Sequence, residues 1–335
     1  MRCLITGGSG YLGSVLIDRL LNFPEIDYIV NYDALFFGEN VTKQPYGKYF
    51  LVNCRVEQMD WVKELDSFDS VDAVIWLAAI SNDPASEINP TLTKLINHFS
   101  VIQLAYQCYQ RGIKFIFASS ASVYGAVNYA CSRWSPTFPI SLYASEKLET
   151  ERDLWAMADD NWQPFILRMA TLYGPSARLR LDLAINKMVF DAITTGELTV
   201  YGGQQYRPFL HVSHAVNSYI AALFNTSVNQ GYIINVVDFN ITILDLANII
   251  GEYFDAKVRV ESQNLDSRNY RMLPVAVKEP FDNMEWTEEF AQQLDMIKAC
   301  VNKIENPNDT RYYTVKRIRE VLEHERTVLY AIGNS

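Results

Sequence analysis

Thr6-Gly7-Gly8-Ser9-Gly10-Tyr11-Leu12-Gly13 is the stretch whose reading decides the fold. Before it, Arg2-Cys3-Leu4-Ile5 is short, mostly apolar and β-branched at its end, which predicts a buried strand. After it, Val15, Leu16, Leu20 and Leu21 recur at helical spacing, so a helix is expected over 11–21. A glycine turn between strand and helix suits a pyrophosphate. Without Cβ atoms the backbone can come close, and the amides at the helix N-terminus face the negative charge. Gly8, Gly10 and Gly13 have the spacing G-x-G-x-x-G, while Gly7, Gly10 and Gly13 also fit G-x-x-G-x-x-G. Glycine turns are common, and the weight comes from the next strand and its last residue. Tyr28-Ile29-Val30-Asn31-Tyr32 reads as a second strand ending in Asp33, about twenty residues past Gly13, where an acid should accept hydrogen bonds from the adenosine ribose. That placement favours NAD over the 2′-phosphorylated NADP.

The 335 residues are 49% hydrophobic and 20% charged, enough for a large core without covalent staples. Cys3, Cys54, Cys108, Cys131 and Cys300 are scattered and form no C-x-x-C, which argues for a reducing compartment and against a disulfide framework or zinc site. The longest apolar candidate, 71–80, is too short to span a membrane and reads as a buried strand. A strand starts almost at Met1, which leaves no room for a signal peptide, so a cytoplasmic location is expected. A net charge of −10 disfavours a nucleic-acid partner.

Further strands are expected at 49–52 (ending at Asn53), 72–77, 113–118 and 165–168, with helices over 57–65, 90–111 and 142–157. This alternation predicts an α/β fold, a Rossmann-type doubly wound parallel sheet with ligands at the C-terminal ends of its strands. Beyond Tyr173-Gly174-Pro175 the alternation loosens. We therefore expect a dinucleotide-binding domain over 1–175, rejoined by about 208–237, and a smaller α/β substrate-binding domain over 176–335. Within it, strands are expected at 198–203 and 231–237, and a charged helical end from 286. A helix is expected over 241–254, begun by Thr242 with Asp245 three residues on.

Tyr143-Ala144-Ser145-Glu146-Lys147 puts a phenol and an ammonium on one helix face. Lys147 beside Tyr143 is expected to lower the phenol pKa from about 10 toward working pH, as an oxidised nicotinamide would. Such a tyrosine can exchange a hydroxyl proton while the nicotinamide exchanges a hydride. The spacing alone also describes an amphipathic helix with a solvated lysine. Ser119-Ser120, closing the fifth strand, adds a hydroxyl that can hold the substrate oxygen.

Read together, these pieces resemble an extended short-chain dehydrogenase/reductase of the nucleotide-sugar epimerase/dehydratase branch. The matching runs are 6–13, Asp33, Leu77-Ala78-Ala79, Asn97, Ser119-Ser120-Ala121-Ser122-Val123-Tyr124-Gly125, 143–147, Leu167-Arg168, Tyr173-Gly174-Pro175 and Arg207-Pro208-Phe209-Leu210-His211-Val212. The resemblance implies Ser120, Tyr143 and Lys147 as the catalytic set, with Lys147 also holding the nicotinamide ribose. It implies Gly7, Gly10, Tyr11, Leu12, Gly13, Asp33, Leu77, Ala78, Ala79 and Asn97 on the NAD side. Asn53-Cys54 falls at the adenine-contacting position, where an aspartate is usual. Ser122 and Thr171 are implied near the sugar and Arg207 on the nucleotide diphosphate, with Arg178, Arg180 and Arg268 as helpers. It also implies a homodimer paired through the helices 90–111 and 142–157.

Three departures narrow the reaction. The family's dehydratases carry Asp-Glu where this chain has Ala121-Ser122. Galactose epimerases have a lysine at the place of Ser81, and Arg-Tyr-Phe-Asn at the place of Arg168-Met169-Ala170-Thr171. No metal is assigned, since the resemblance makes His211 a structural strand residue. The expectation is an NAD(P)-dependent epimerase acting on a nucleotide-diphosphate sugar by reversible hydride transfer, or else an NAD(P)H-dependent 4-keto-sugar reductase. A cofactor-sensing binding protein on this fold usually lacks the tyrosine and lysine that this chain keeps.

Overall fold

A computed structural model describes residues 1–38, 47–68, 70–225, 233–262, 268–274 and 287–333, with side chains as far as Glu325. Seven strands form the central sheet: β1 (Arg2–Thr6), β2 (Tyr28–Asp33), β3 (Tyr49–Asn53), β4 (Ala73–Trp76), β5 (Lys114–Ser120), β6 (Phe165–Met169) and β7 (Ile233–Val236). Their order is β3-β2-β1-β4-β5-β6-β7, and every pairing is parallel. Every residue of β4 and β6 is buried, as a sheet covered on both faces requires. The Rossmann-type fold expected from the sequence is the fold observed.

One face is covered by α1 (Tyr11–Leu20), whose Leu16 and Ile17 pack with Tyr219 and Leu223 of a later helix, Val212–Phe224. The other face carries Trp61 and Trp76 with Leu104 of α2 (Ser100–Arg111) and Leu154 of α3 (Leu142–Met157). The helix expected over 90–111 is interrupted. Between Pro90–Lys94 and α2, residues Leu95–Phe99 form a wider π-type turn, and the Ser100 hydroxyl donates to the Leu95 carbonyl at 2.8 Å. The helix expected over 57–65 is a short turn, Val56–Gln58, then a helix over Trp61–Asp66 capped by Asp60. The helix expected from 241 starts at Ile243 with Thr242 as its cap, because Phe239–Thr242 pairs antiparallel with Tyr206–His211.

A second core, around Tyr173, Phe209, Phe239, Leu246 and Phe290, sits among the helices Ala184–Thr195, Ile243–Phe254 and Glu288–Val301. The final helix, α4 (Thr314–Gly333), leaves this core and returns to the first sheet. Val315 and Leu322 pack against the cluster that holds Trp61 and Trp76. Arg55 pairs with Glu325 at 2.7 Å. Among the described residues, no helix is long and apolar enough to cross a membrane.

One buried ion pair ties the layers together. Glu151 of α3 and Arg168 of β6 meet at 2.6 Å, with side chains 2% and 4% exposed. Ser119 of β5 also donates to Glu151, and Arg168 donates to the Tyr124 hydroxyl at 2.9 Å. The Tyr124 hydroxyl donates in turn to Asn235 of β7 at 2.6 Å. Every partner is spoken for, the condition under which a buried charge is tolerated. Glu151→Ala strands the Arg168 guanidinium and should cost about 3–5 kcal/mol in urea unfolding. A loss below about 1 kcal/mol would mean the pair is not what holds α3 to the sheet.

Candidate active site

The turn between β1 and α1 is shaped by backbone contacts that exclude side chains. Gly7 has φ of +72°, and a Cβ there would lie 2.6 Å from the Ala78 nitrogen at the end of β4. At Gly13 it would lie 2.6 Å from the Gly7 carbonyl oxygen. Asn31, buried within β2, accepts from the Gly8 amide at 2.8 Å and donates to the Ser9 and Tyr49 hydroxyls, each at 3.0 Å. Asp33 accepts from the Ser9 amide at 2.9 Å and from the Leu35 amide at 2.8 Å. Burial raises its carboxyl above the usual carboxylate range, while those two amides pull the other way. The turn thus has its shape set by the protein itself.

A cleft opens over this turn. It is lined by the turn, by Asp33 and the run 34–38, by Leu77, Ala78 and Ala79, and at one end by Tyr143 and Lys147. A Cβ on Gly10 would meet no atom nearer than the Gly7 carbonyl oxygen at 3.1 Å, so this part of the turn is open to the cleft. The donor set therefore fits an adenine dinucleotide: first-turn amides of α1 for the diphosphate and Asp33 for the ribose. The adenine position splits in two. Cys54 lines the cleft, its thiol pushed up to about 12 by burial, whereas Asn53 is exposed and does not line it.

At the other end, the π-type turn aims Asn97 inward. Its side chain accepts from the Ile80 amide at 2.8 Å and donates to the Ile80 carbonyl at 3.0 Å. Its own carbonyl accepts from Thr150 of α3 at 3.0 Å. Asn97 is fully buried and does not line the cleft; it clamps the segment after β4 that does. The Lys147 ammonium donates to the Ala118 carbonyl at 2.7 Å and lies 4.6 Å from the centre of the Phe117 ring and 5.8 Å from that of Tyr143. Ser119 is committed to Glu151, while the Ser120 hydroxyl is near enough to Tyr143 to act on its phenol and accepts from Ser122 Oγ at 2.9 Å. The structure thus brings Ser120, Tyr143 and Lys147 together and separates the roles of the two adjacent serines.

The electrostatics correct one expectation. Burial pushes the Tyr143 phenol up to about 12, with the Ser120 hydroxyl opposing it. Burial also brings Lys147 down to about 7, with Glu151 opposing. Lys147 does not pull the phenol down in the protein alone, because both charged forms lose hydration in the same pocket.

Of the residues expected near the sugar, Ser122, Thr171, Arg207 and Arg268 lie off the cofactor cleft. Arg207 is buried, donates to the Tyr206 carbonyl at 2.8 Å and to the Arg268 carbonyl, and lies 5.5 Å from the Tyr270 ring centre. Arg268 pairs with Asp83, which also accepts from Ser141, the cap of α3. Arg178 and Arg180 line the cofactor cleft instead. Arg180 pairs with Asp182 at 2.9 Å and reaches to 3.5 Å from Ser81 Oγ, returning a cation to the place where galactose epimerases carry lysine. His211 bonds Ser213 at 2.7 Å and His214 bonds Asp238 at 3.0 Å. Asn31 went unnoticed in the sequence, although a polar residue inside an apolar strand was its signal.

The profile of the NAD dependent epimerase/dehydratase family matches residues 3–237, and the chain belongs to that family. The expected NAD cofactor is thereby supported at the level of the family. The chain is 29% identical over 234 residues to the uncharacterized UDP-glucose epimerase YtcB of Bacillus subtilis (strain 168), covering 67% of this chain and 72% of that protein. It is 27% identical over 238 residues to UDP-glucuronic acid decarboxylase 1 of Xenopus tropicalis, covering 68% of this chain and 55% of that protein. In fold it resembles a UDP-N-acetylglucosamine 4-epimerase from Methanobrevibacter ruminantium M1, with a TM-score of 0.77 over 90% of this chain and 99% of that one, at 23% identity. Relatives with different reactions share this family.

Lys147 yields a test with a definite sign. A lysine whose pKa is lower folded than unfolded binds its proton more weakly in the fold. The cost of burying it is then complete below about pH 7 and is relieved as pH rises toward the unfolded value of about 10.4. Lys147→Met should therefore melt higher than wild type at pH 6.5 in the absence of dinucleotide, with the gap shrinking by pH 9.5, while NAD binding weakens. A variant that melts lower than wild type at pH 6.5 would contradict the burial of this charge.

Proposed function

We propose that this member of the NAD dependent epimerase/dehydratase family is a nucleotide-diphosphate-sugar epimerase that works by reversible hydride transfer at one sugar carbon. The observation that carries the reading is Tyr143 and Lys147 lining one end of the cleft with Ser120 near enough to Tyr143 to act on its phenol, followed by Ala121-Ser122 and no acidic pair. The carboxylates that line the cleft among the described residues are Asp33 and Glu57, and Glu57 is paired with Arg55 at 2.5 Å. Elimination needs an acid and a base beside the phenol; oxidation and reduction at a carbinol need only the phenol.

When bound, NAD supplies a hydride acceptor and donor and a positive charge beside Tyr143. Ser120 would hold the sugar oxygen, and Tyr143 would take its proton as the carbinol C–H leaves as hydride. The resulting ketone, presented by its other face, would regain hydride at carbon and a proton from Tyr143 at oxygen. Lys147 would hold the nicotinamide ribose and lower the phenol once that ring is in place. Arg207 and Arg268 would grip the diphosphate of the sugar nucleotide.

An epimerase regenerates its NAD in every cycle, and that separates it from its neighbours. Candidate sugar nucleotides supplied to the purified protein without added cofactor should give many turnovers with no net change in reduced-nicotinamide absorbance. Tyr143→Phe should lower that rate by about 10²–10⁴-fold. Product formed only with stoichiometric NADH or NADPH consumption would replace this reading with a 4-keto-sugar reductase. Release of carbon dioxide from a nucleotide-linked uronic acid would replace it with a decarboxylase.

A further inference from the structure

The segment Gly174 to Arg178 is fixed to the N-terminus of α1. The Tyr11 hydroxyl donates to the Gly174 carbonyl at 2.7 Å, and the Ser176 hydroxyl donates to the Tyr11 carbonyl at 2.8 Å. Ser176 Oγ also lies 3.1 Å from Ser14 Oγ and accepts from the Arg178 amide at 3.1 Å. Arg178 therefore leaves the backbone beside the helix end where a diphosphate is favoured. Arg178 lines the cleft and is 7% exposed, and its guanidinium lies 4.7 Å from the centre of the Phe37 ring. One Nη2 hydrogen bonds the Arg311 carbonyl at 2.6 Å, while the Nε–H is buried without a partner among the described residues.

The neighbouring charges make this placement costly. Arg180, Arg311 and Arg317 are all felt at Arg178, and burial with these cations brings its pKa down to about 10. Among the described residues, the nearby carboxylates are engaged elsewhere, Asp182 with Arg180 at 2.9 Å and Asp309 with Arg311 at 2.5 Å, although Asp309 also acts favourably on Arg178. Asp33 accepts from two backbone amides, and burial raises its carboxyl while those amides and Arg178 oppose the rise. A buried guanidinium among like charges is destabilising unless an anion completes it.

We propose that Arg178 is a phosphate ligand, binding the diphosphate of the adenine dinucleotide as a second anchor beside the first-turn amides of α1. This rests on the dinucleotide reading of the cleft. The alternative phosphate on such a ligand, at the ribose 2′ position, would come against the Asp33 carboxylate rather than the α1 end. The lead-in to α4 holds the guanidinium in place. Arg311 accepts its hydrogen bond, Thr314 and Ile318 line the same cleft, and Arg317 donates to the Phe36 carbonyl. The last helix thereby becomes part of the dinucleotide site.

Calorimetric titration of nucleotide-free full-length protein with NAD, NADP, ADP and adenosine tests this. Arg178→Gln should weaken NAD and ADP by about tenfold or more and leave adenosine within about twofold. The melting temperature of the nucleotide-free protein should not fall, because an unpaired buried charge has been removed. Arg178→Lys, which keeps the charge without the planar fork, should recover part of the ADP affinity. Equal losses for ADP and adenosine would make Arg178 a packing residue, and a loss confined to NADP would move it to the 2′-phosphate; either overturns the proposal. Unchanged NAD and ADP affinity also overturns it, whereas a wild-type protein that binds neither overturns the dinucleotide reading itself.

Discussion

Three backbones meet at contact distance where β1 turns into α1, and the rest of the molecule is arranged around that contact. The turn touches the end of β4 through Gly7 and the first turn of α1 through Gly13, at separations no Cβ could share. Asn31 and Asp33 then fix the turn from β2. Tyr11 and Ser176 carry the same rigidity across to the start of the second core. A phosphate-binding surface made this way needs no reorganisation when its ligand arrives, which is the physical content of preorganisation.

Buried charge sorts the remaining residues into two groups. Glu151 and Arg168 are buried and fully partnered, and they join α3, β5, β6 and β7. Lys147 and Arg178 are buried but, among the described residues, lack a carboxylate hydrogen-bonded to them, and burial brings both pKa values down. Tyr143 is displaced in the opposite direction for the same reason. The first group stabilises the fold; the second holds free energy that a charged ligand can release on binding. All three members of the second group line one cleft.

The parts of this site that were legible in the sequence are those whose partners are close along the chain. The glycine turn, Asp33 after the second strand, and Tyr143 with Lys147 on one helix face each have a fixed spacing dictated by local geometry. Long-range placement was not legible. Arg178 lines the cofactor cleft over Phe37, because its segment is stapled to α1 by residues more than 160 positions away. The return of α4 to the first sheet depends on Val315 and Leu322 finding the tryptophan cluster. Nothing in the run of 90–111 announced the π-type turn that aims Asn97. The direction of the Tyr143 shift was not legible either, because spacing reports proximity but not desolvation.

A crystal structure of the chain with bound NAD tests the central claim most directly, which is that this cleft holds the dinucleotide with its nicotinamide end at Tyr143 and Lys147. The account predicts the diphosphate on the first-turn amides of α1, the adenosine ribose on Asp33, and the nicotinamide ribose on Lys147 with the ring facing Tyr143. A dinucleotide bound in the reverse direction, or outside the cleft over Gly7, Gly10 and Gly13, would contradict it.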